Sequence, residues 1–222
     1  MCGRYVAKIQ AAELAEWHLI RNVPPFESYN VAPTQSVPIV RHTSEGNAAD
    51  MVRWGLIPFF AKGIPPTYST INATVEKIKD GASWPGPWKR GQRCAVLASG
   101  FYEWQLQADG KTKIPYYITL NDQDCFGIAG LWDRSIDAAG TAIESCTIIT
   151  LPANALMAQI HNTKHRMIAI LAKEDRDTWL EGSTEEAFAV LKQYPDTHMV
   201  ARPVSTRVNS PKNNDPALIG PA

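Results

Sequence analysis

Charge of one sign is missing from this sequence. Its 22 lysines and arginines are matched by 22 aspartates and glutamates, giving a formal net charge of zero, so the basic excess typical of a nucleic-acid binder is absent. Any contact with a polyanion must then come from a local group of cations. Long apolar runs are missing too. Nowhere do about 18 apolar residues follow one another, and the opening MCGRYVAKIQ has no basic stretch leading into an apolar one, so neither a membrane span nor a secretory leader is indicated. Cysteine is scarce. Cys2, Cys94, Cys125 and Cys146 are far apart with no C-x-x-C, which disfavours a zinc site, and the reducing interior of a cell disfavours disulfides. No metal and no cofactor is expected. Repeats and low-complexity blocks are absent as well, so the 222 residues read as one cytoplasmic domain, monomeric, with a tail from about 209 to 222 expected to be extended.

What is present is mostly short strands. Val37 to Arg41, Met51 to Leu56, Cys94 to Ala98, Gly100 to Leu106, Ile114 to Leu120, Cys125 to Leu131, Glu144 to Thr150, Ile168 to Leu171 and Met199 to Val208 are rich in β-branched and aromatic residues and bounded by turn formers. Asp109-Gly110 predicts a hairpin turn. Helical spacing appears in Gln10 to Ile20 and in Ala153 to Ile160, and Ser183-Thr184-Glu185-Glu186 is a capping box opening a helix towards Gln193. Many strands, few helices and hairpin connections predict an α+β fold: a single domain of mostly antiparallel, strongly curved, barrel-like sheet with peripheral helices. Cys94, Cys125 and Cys146 lie in apolar runs and are expected to be packed thiols.

Two stretches refuse regular structure yet carry large aromatic side chains. Ile57 to Pro66 (IPFFAKGIPP) places Phe59 and Phe60 between prolines that withdraw backbone donors. Gly81 to Arg93 (GASWPGPWKRGQR) interleaves Trp84 and Trp88 with Lys89, Arg90 and Arg93, a pattern suited to stacking on unpaired bases or equally to anchoring a loop. Cys2 is a third singular feature. Were Met1 removed, its thiol and free α-amine would sit on adjacent carbons, and an aldehyde condensing with the amine would meet the thiol in a fast ring closure to a thiazolidine. Ordinary values of about 8.5 for a thiol and about 7.7 to 8.0 for an α-amine leave part of each nucleophile active near neutrality.

Taken in order, Met1-Cys2-Gly3-Arg4, Tyr29-Asn30-Val31-Ala32-Pro33, Arg53-Trp54-Gly55-Leu56-Ile57-Pro58, Ile71-Asn72-Ala73, Arg93-Cys94, Gly100-Phe101-Tyr102-Glu103-Trp104, and Ile160-His161 with Arg166-Met167 resemble the SRAP domain family over nearly the whole chain. The resemblance implies an abasic-site processing protein whose partner is single-stranded DNA, with no membrane and, in a bacterium, association with the nucleoid. It implies Met1 removal, capture of the ring-opened sugar aldehyde by Cys2 as a thiazolidine crosslink, lyase capability through imine chemistry, and self-release. Cys2 matches the nucleophile, Asn72 the residue that positions it, Glu103 the proton shuttle and His161 the assistant in ring opening. Arg4 matches a phosphate contact, and Pro33 with Phe59 and Phe60 the wedge that keeps the strand bent.

The chain departs from the family pattern at Thr74, where an arginine usually follows Asn-Ala, at Ser99 in place of aspartate, and at Ile168 in place of proline. Trp84, Trp88, Lys89 and Arg90 are expected to compensate for the missing arginine. Two extra residues between Ile160-His161 and Arg166-Met167 leave His165 as an alternative to His161. Two other functions stay open: a thiol peptidase built on Cys2, and a non-covalent single-strand binder built on the tryptophan loop.

Overall fold

The computed structural model of the chain describes residues 2–221; Met1, on whose removal the Cys2 chemistry depends, lies outside them. In chain order come β1 (Tyr5–Ile9), α1 (Ala11–Ala15), β2 (Phe26–Val31), β3 (Ser36–Thr43), β4 (Gly46–Trp54), β5 (Asn72–Thr74), α2 (Pro85–Lys89), β6 (Arg93–Ala98), β7 (Gly100–Leu106) and β8 (Lys113–Leu120). There follow β9 (Phe126–Ile136), β10 (Ala142–Pro152), α3 (Ala155–Ile160), β11 (Arg166–Ile168), β12 (Ile170–Leu171), α4 (Arg176–Glu181), α5 (Thr184–Ala189) and β13 (Met199–Pro203).

Five of these strands close on themselves. β4 pairs with β3, β3 with β6, β6 with β9 and β9 with β10, all antiparallel, and β10 returns to β4 in parallel. The parallel step is forced, because an odd-membered ring cannot alternate direction all the way round. Closure leaves no free edge inside the ring. Its interior is apolar, with Ile39, Trp54, Val96, Ile128 and Ile148 fully buried, each contributing about 1.5 to 3 kcal/mol by leaving water. Gly130 is required where β9 crosses β10, since a Cβ there would lie 2.6 Å from the Thr147 carbonyl oxygen.

A second, five-stranded sheet runs in the order β13-β8-β7-β1-β2. Along β1 the side chains alternate: Tyr5, Ala7 and Ile9 face the main core, whereas Val6 belongs to a smaller cluster with Tyr102, Tyr117, Val204, Val208 and Leu218. The sheet is thus sandwiched, with the barrel on one face and the C-terminal segment on the other. That segment differs from the extended tail expected of it. It coils through single 3-10 turns at Thr206–Asn209 and Pro216–Ile219 and buries Leu218 completely. The single domain of curved antiparallel sheet is as predicted, and Cys94, Cys125 and Cys146 are buried free thiols.

Two local expectations are corrected. The helix over 10–20 stops after Ala15, because His18 takes a left-handed φ of 49° and Ile20 turns away to donate to the Asn47 carbonyl at 2.8 Å. The stretch 81–93 is not an open loop. Pro85 starts α2 at a position where its missing N–H costs nothing, and the helix turns Trp88 inward against Trp179 and Phe188.

Candidate functional site

Cys2, Asn72, Glu103 and His161 come from four distant segments and meet in the seam between barrel and sheet. The chain before β1 runs beside β7, where Tyr5 pairs with Phe101 and the Tyr102 amide donates to the Arg4 carbonyl at 3.0 Å. Glu103 shares the face of Phe101, which packs in the main core, and is therefore turned away from Tyr102 and Trp104 as strand alternation requires. The neighbouring Gly100 makes room for this. A Cβ there would strike the Tyr117 ring at 2.4 Å, and without one Tyr117 lies 5.3 Å from Tyr102, holding the far face of β7.

Asn72 reaches the same seam from β5, a three-residue strand paired in parallel with β10. Its amide donates to the Cys2 carbonyl at 2.9 Å, while its own Oδ1 is buried with no hydrogen-bond partner among the described residues. His161 ends α3, whose start is capped by Asn154 accepting from the Met157 amide. The ring's Nδ1 lies 2.9 Å from the Arg166 carbonyl and 4.0 Å from Glu103 Oε1. A carbonyl only accepts, so Nδ1 carries the proton and Nε2 is the unprotonated nitrogen. His165 is exposed with a left-handed φ of 48°, so the histidine beside Glu103 is His161.

Burial governs the electrostatics here. Glu103 is 4% exposed, and loss of hydration pushes its carboxyl up to about 7. The same desolvation keeps His161 below its ordinary value and its ring neutral at physiological pH. For Cys2 the structure overturns the expectation of a thiol titrating near neutrality. The residue is 1% exposed, and burial together with the Glu103 carboxylate raises the thiol far above the usual range. Its Sγ donates to the Arg4 carbonyl at 3.4 Å. Cys2 is therefore a protonated thiol that needs a neighbouring base.

Around this seam the expected contact residues fare unequally. Arg4 Nη1 donates to Asn30 Oδ1 and the Val208 carbonyl, both at 2.9 Å, and Nη2 to the Asn209 carbonyl at 3.1 Å. Two of its five N–H groups thereby have no acceptor among the described residues. Asn30, 1% exposed, also donates to the carbonyls of Val208, Ser210 and Asn213, so it clamps the C-terminal segment beneath Arg4. Pro33 is half-buried at the end of β2. Phe59 and Phe60 are 54% and 57% exposed, their rings edge to face at 5.5 Å. Trp84 and Trp88 are 7% and 4% exposed, which corrects their expected role: rings packed in the core cannot stack on bases. Of that stretch Lys89 and Arg90 remain at the surface. Arg90 bonds Asp133 at 2.9 Å and lies 4.9 Å from the centre of the Phe59 ring. Arg93 caps α4 from within the core, donating to the carbonyls of Trp179 and Gly182.

Asn30 and Asp133 were given no role from the sequence. Asp133 is 1% exposed and accepts from the Phe59 amide at 3.0 Å, the Arg134 amide at 2.9 Å and Arg90. A carboxylate within the apolar strand FGIAGLWDRSI is the signal that marks it.

Comparison with known proteins follows the same lines. A family model described as SOS response associated peptidase (SRAP) matches residues 1–211. The abasic site processing protein YoqW of Bacillus subtilis (strain 168) is 37% identical over 226 residues, covering 99% of each chain. The abasic site processing protein HMCES of Gallus gallus is 32% identical, covering all of this chain and 78% of that one. A crystal structure of a protein from Bacteroides thetaiotaomicron superposes with a TM-score of 0.88 at 30% identity, both chains being covered completely.

Proposed function

The chain belongs to the SOS response associated peptidase (SRAP) family, and from that premise we propose that it processes abasic sites in single-stranded DNA by capturing them covalently through Cys2. One observation carries the reading: a thiol, a carboxyl held near 7, a neutral imidazole and a carboxamide with an unused acceptor surround the backbone of residue 2. These are the groups the reaction needs.

With Met1 removed, the Cys2 amine adds to the sugar aldehyde to give a carbinolamine. Protonated Glu103 gives its proton to the hydroxyl, water leaves, and an iminium forms. The thiol then hands its proton back to Glu103 as sulfur bonds to the iminium carbon, closing the thiazolidine with loss of one water overall. The raised thiol is thus freed only as it attacks. Nε2 of His161 suits the base that opens the sugar ring, Asn72 Oδ1 a hydroxyl or amine of the bound sugar, and the two unused N–H groups of Arg4 a phosphate. The iminium also permits elimination of the 3′ strand, the lyase branch, and reversal of the same steps gives self-release. Burial of Trp84 and Trp88 removes the surface on which the non-covalent alternative was built.

The test is to mix mature protein, its mass showing Met1 absent, with a single strand carrying one abasic site. A denaturation-resistant adduct is expected, and none with Cys2→Ala or with a blocked α-amine. Wild-type adduct from Cys2→Ala would overturn the proposal. Glu103 adds a pH signature. Its folded value is raised, so its contribution to stability is full below about 4.3, its ordinary value, and lost as pH rises through about 7. Glu103→Gln is expected to flatten that loss, on the order of 3 kcal/mol between pH 4 and 8, and to slow capture. An unchanged pH dependence of unfolding in Glu103→Gln would exclude Glu103 as its source.

A further inference from the structure

Accepting that the chain captures abasic sites, we propose that the groove beside Pro33, where β4 and β10 part, carries a second phosphate site, in which Arg53 and Arg134 hold the backbone of the single strand as it leaves the wedge. A groove of about 620 Å³ lies there, lined by Thr34, Ser36, Met51, Arg53, Arg134 and Glu144 among others. Three adjacent strands border it. On β4, Arg53 alternates with the buried Val52 and Trp54 and shares the face of Ser145, its partner on β10; on β9, the exposed Arg134 shares the face of its partner Glu144, opposite to that of the buried Asp133 and Ser135. The two arginines thus leave opposite faces of the sheet, and both line the groove where the short pairing of β4 with β10 ends. Two strand spacings put the arginine backbones roughly 10 Å apart.

Charge accounting sets this groove apart in a neutral chain. Glu144, its one acid, is neutralised by Arg41 at 2.8 Å, and Arg41 shares Asp50 with Arg21, so that network closes without excess charge. Arg53 and Arg134 form no ion pair among the described residues. Three other arginines near the site are already committed: Arg90 to Asp133, Arg166 to Glu76 at 2.7 Å, and Arg4 in part to carbonyls of the C-terminal segment. Two unspent guanidinium groups with the hydroxyls of Thr34 and Ser36 are phosphate-binding chemistry.

Position ties the groove to the lesion site. The Thr34 amide donates to the Trp54 carbonyl at 2.8 Å, and the Trp54 amide to the Gln35 carbonyl at 2.9 Å, so the Pro33 turn is stapled to the end of β4 next to Arg53. Arg53 Nη1 donates to the Gly55 carbonyl at 2.6 Å, which fixes its direction, and the Trp54 indole donates to the carbonyl of Ile71, the residue before Asn72. A strand bent at Pro33 therefore meets these cations directly, and they replace the charge that Thr74 does not supply.

The experiment measures binding of a lesion-free, fluorescently labelled single strand over a series of salt concentrations. Arg134→Ala is the informative variant, because the side chain is exposed and outside the capture machinery. We expect severalfold weaker binding and a slope of log affinity against log salt shallower by about 0.7. Arg134→Lys should restore the slope, and Lys111→Ala, in the distant hairpin between β7 and β8, should change nothing. Wild-type affinity and slope in Arg134→Ala would overturn the proposal. So would a loss seen only when the oligonucleotide carries a duplex flank, which would assign the site to duplex. At saturating abasic DNA, Arg134→Ala should give wild-type adduct yield. The binding comparison uses DNA without a lesion, so it answers for the groove whether or not capture through Cys2 occurs.

Discussion

Two proline-rich stretches of this chain carry aromatic rings beside basic residues, and the fold treats them oppositely. Phe59 and Phe60 stay more than half exposed, whereas Trp84 and Trp88 are buried. Nothing in the local sequence separates IPFFAKGIPP from SWPGPWKR. What separates them is the partner each meets from far along the chain. α4 and α5 bring Trp179 and Phe188 to within 6.3 Å and 6.1 Å of Trp88, and Lys79 closes over Phe188 at 3.7 Å. The phenylalanine loop meets polar groups instead, and they hold its backbone. Asp133 accepts from the Phe59 amide, Ser135 from Gly63 and Ser145 from Ile57. A loop anchored by buried acceptors while its largest rings remain in water forgoes hydrophobic stabilisation, and the proposed wedge role supplies a reason for that arrangement.

The sharpest way to break this contrast is Trp88→Ala. Emptying a 4% exposed site is expected to cost about 3 to 5 kcal/mol, read from the urea midpoint, while adduct yield stays near wild type wherever the variant remains folded. A midpoint unchanged within error would mean that the two loops are alike after all. Next in size is Asp133→Asn. The isosteric amide keeps an acceptor for the Phe59 amide but loses the charge paired with Arg90, an expected cost of about 1 to 3 kcal/mol. Its specific sign is faster hydrogen exchange at the Phe59 amide than at the neighbouring barrel amides. Equal protection in variant and wild type would show that Asp133 does not hold the loop.

Legibility in the sequence follows the same division between local and distant causes. The β7–β8 hairpin was readable because Asp109-Gly110 carries its own chemistry, with Gly110 at a φ of 68° and Asp109 accepting from the amides of Lys111 and Thr112. The capping box of α5 was readable too, Ser183 and Glu186 bonding each other's amides. Which strands close the barrel was not, since the parallel pair of β10 with β4 joins segments about 90 residues apart that carry no mark of one another. Site residues were named through the resemblance to a family; spacing along the chain does not bring Cys2, Asn72, Glu103 and His161 together. Their environment was invisible. Burial, which lifts the Cys2 thiol out of the neutral range and brings Glu103 into it, is a property of the closed seam and of no segment within it.

The smallest expected change in stability is the one that bears most directly on function. Phe60 is 57% exposed and its ring meets that of Phe59 at the edge, so Phe60→Ala should move stability by no more than about 0.5 kcal/mol. Stacking of an aromatic ring on a base is worth about 1 to 3 kcal/mol, so if the loop acts as the wedge the same variant should bind single-stranded DNA roughly tenfold more weakly, or capture an abasic site correspondingly more slowly below saturation. The pairing of the two numbers is what discriminates. A loop that only packs would lose stability and keep its affinity, as Trp88→Ala is expected to do; a loop held out for DNA loses affinity and keeps its stability. Unfolding and strand titration on the two variants side by side decide which description belongs to which loop, and equal behaviour would remove the distinction between them.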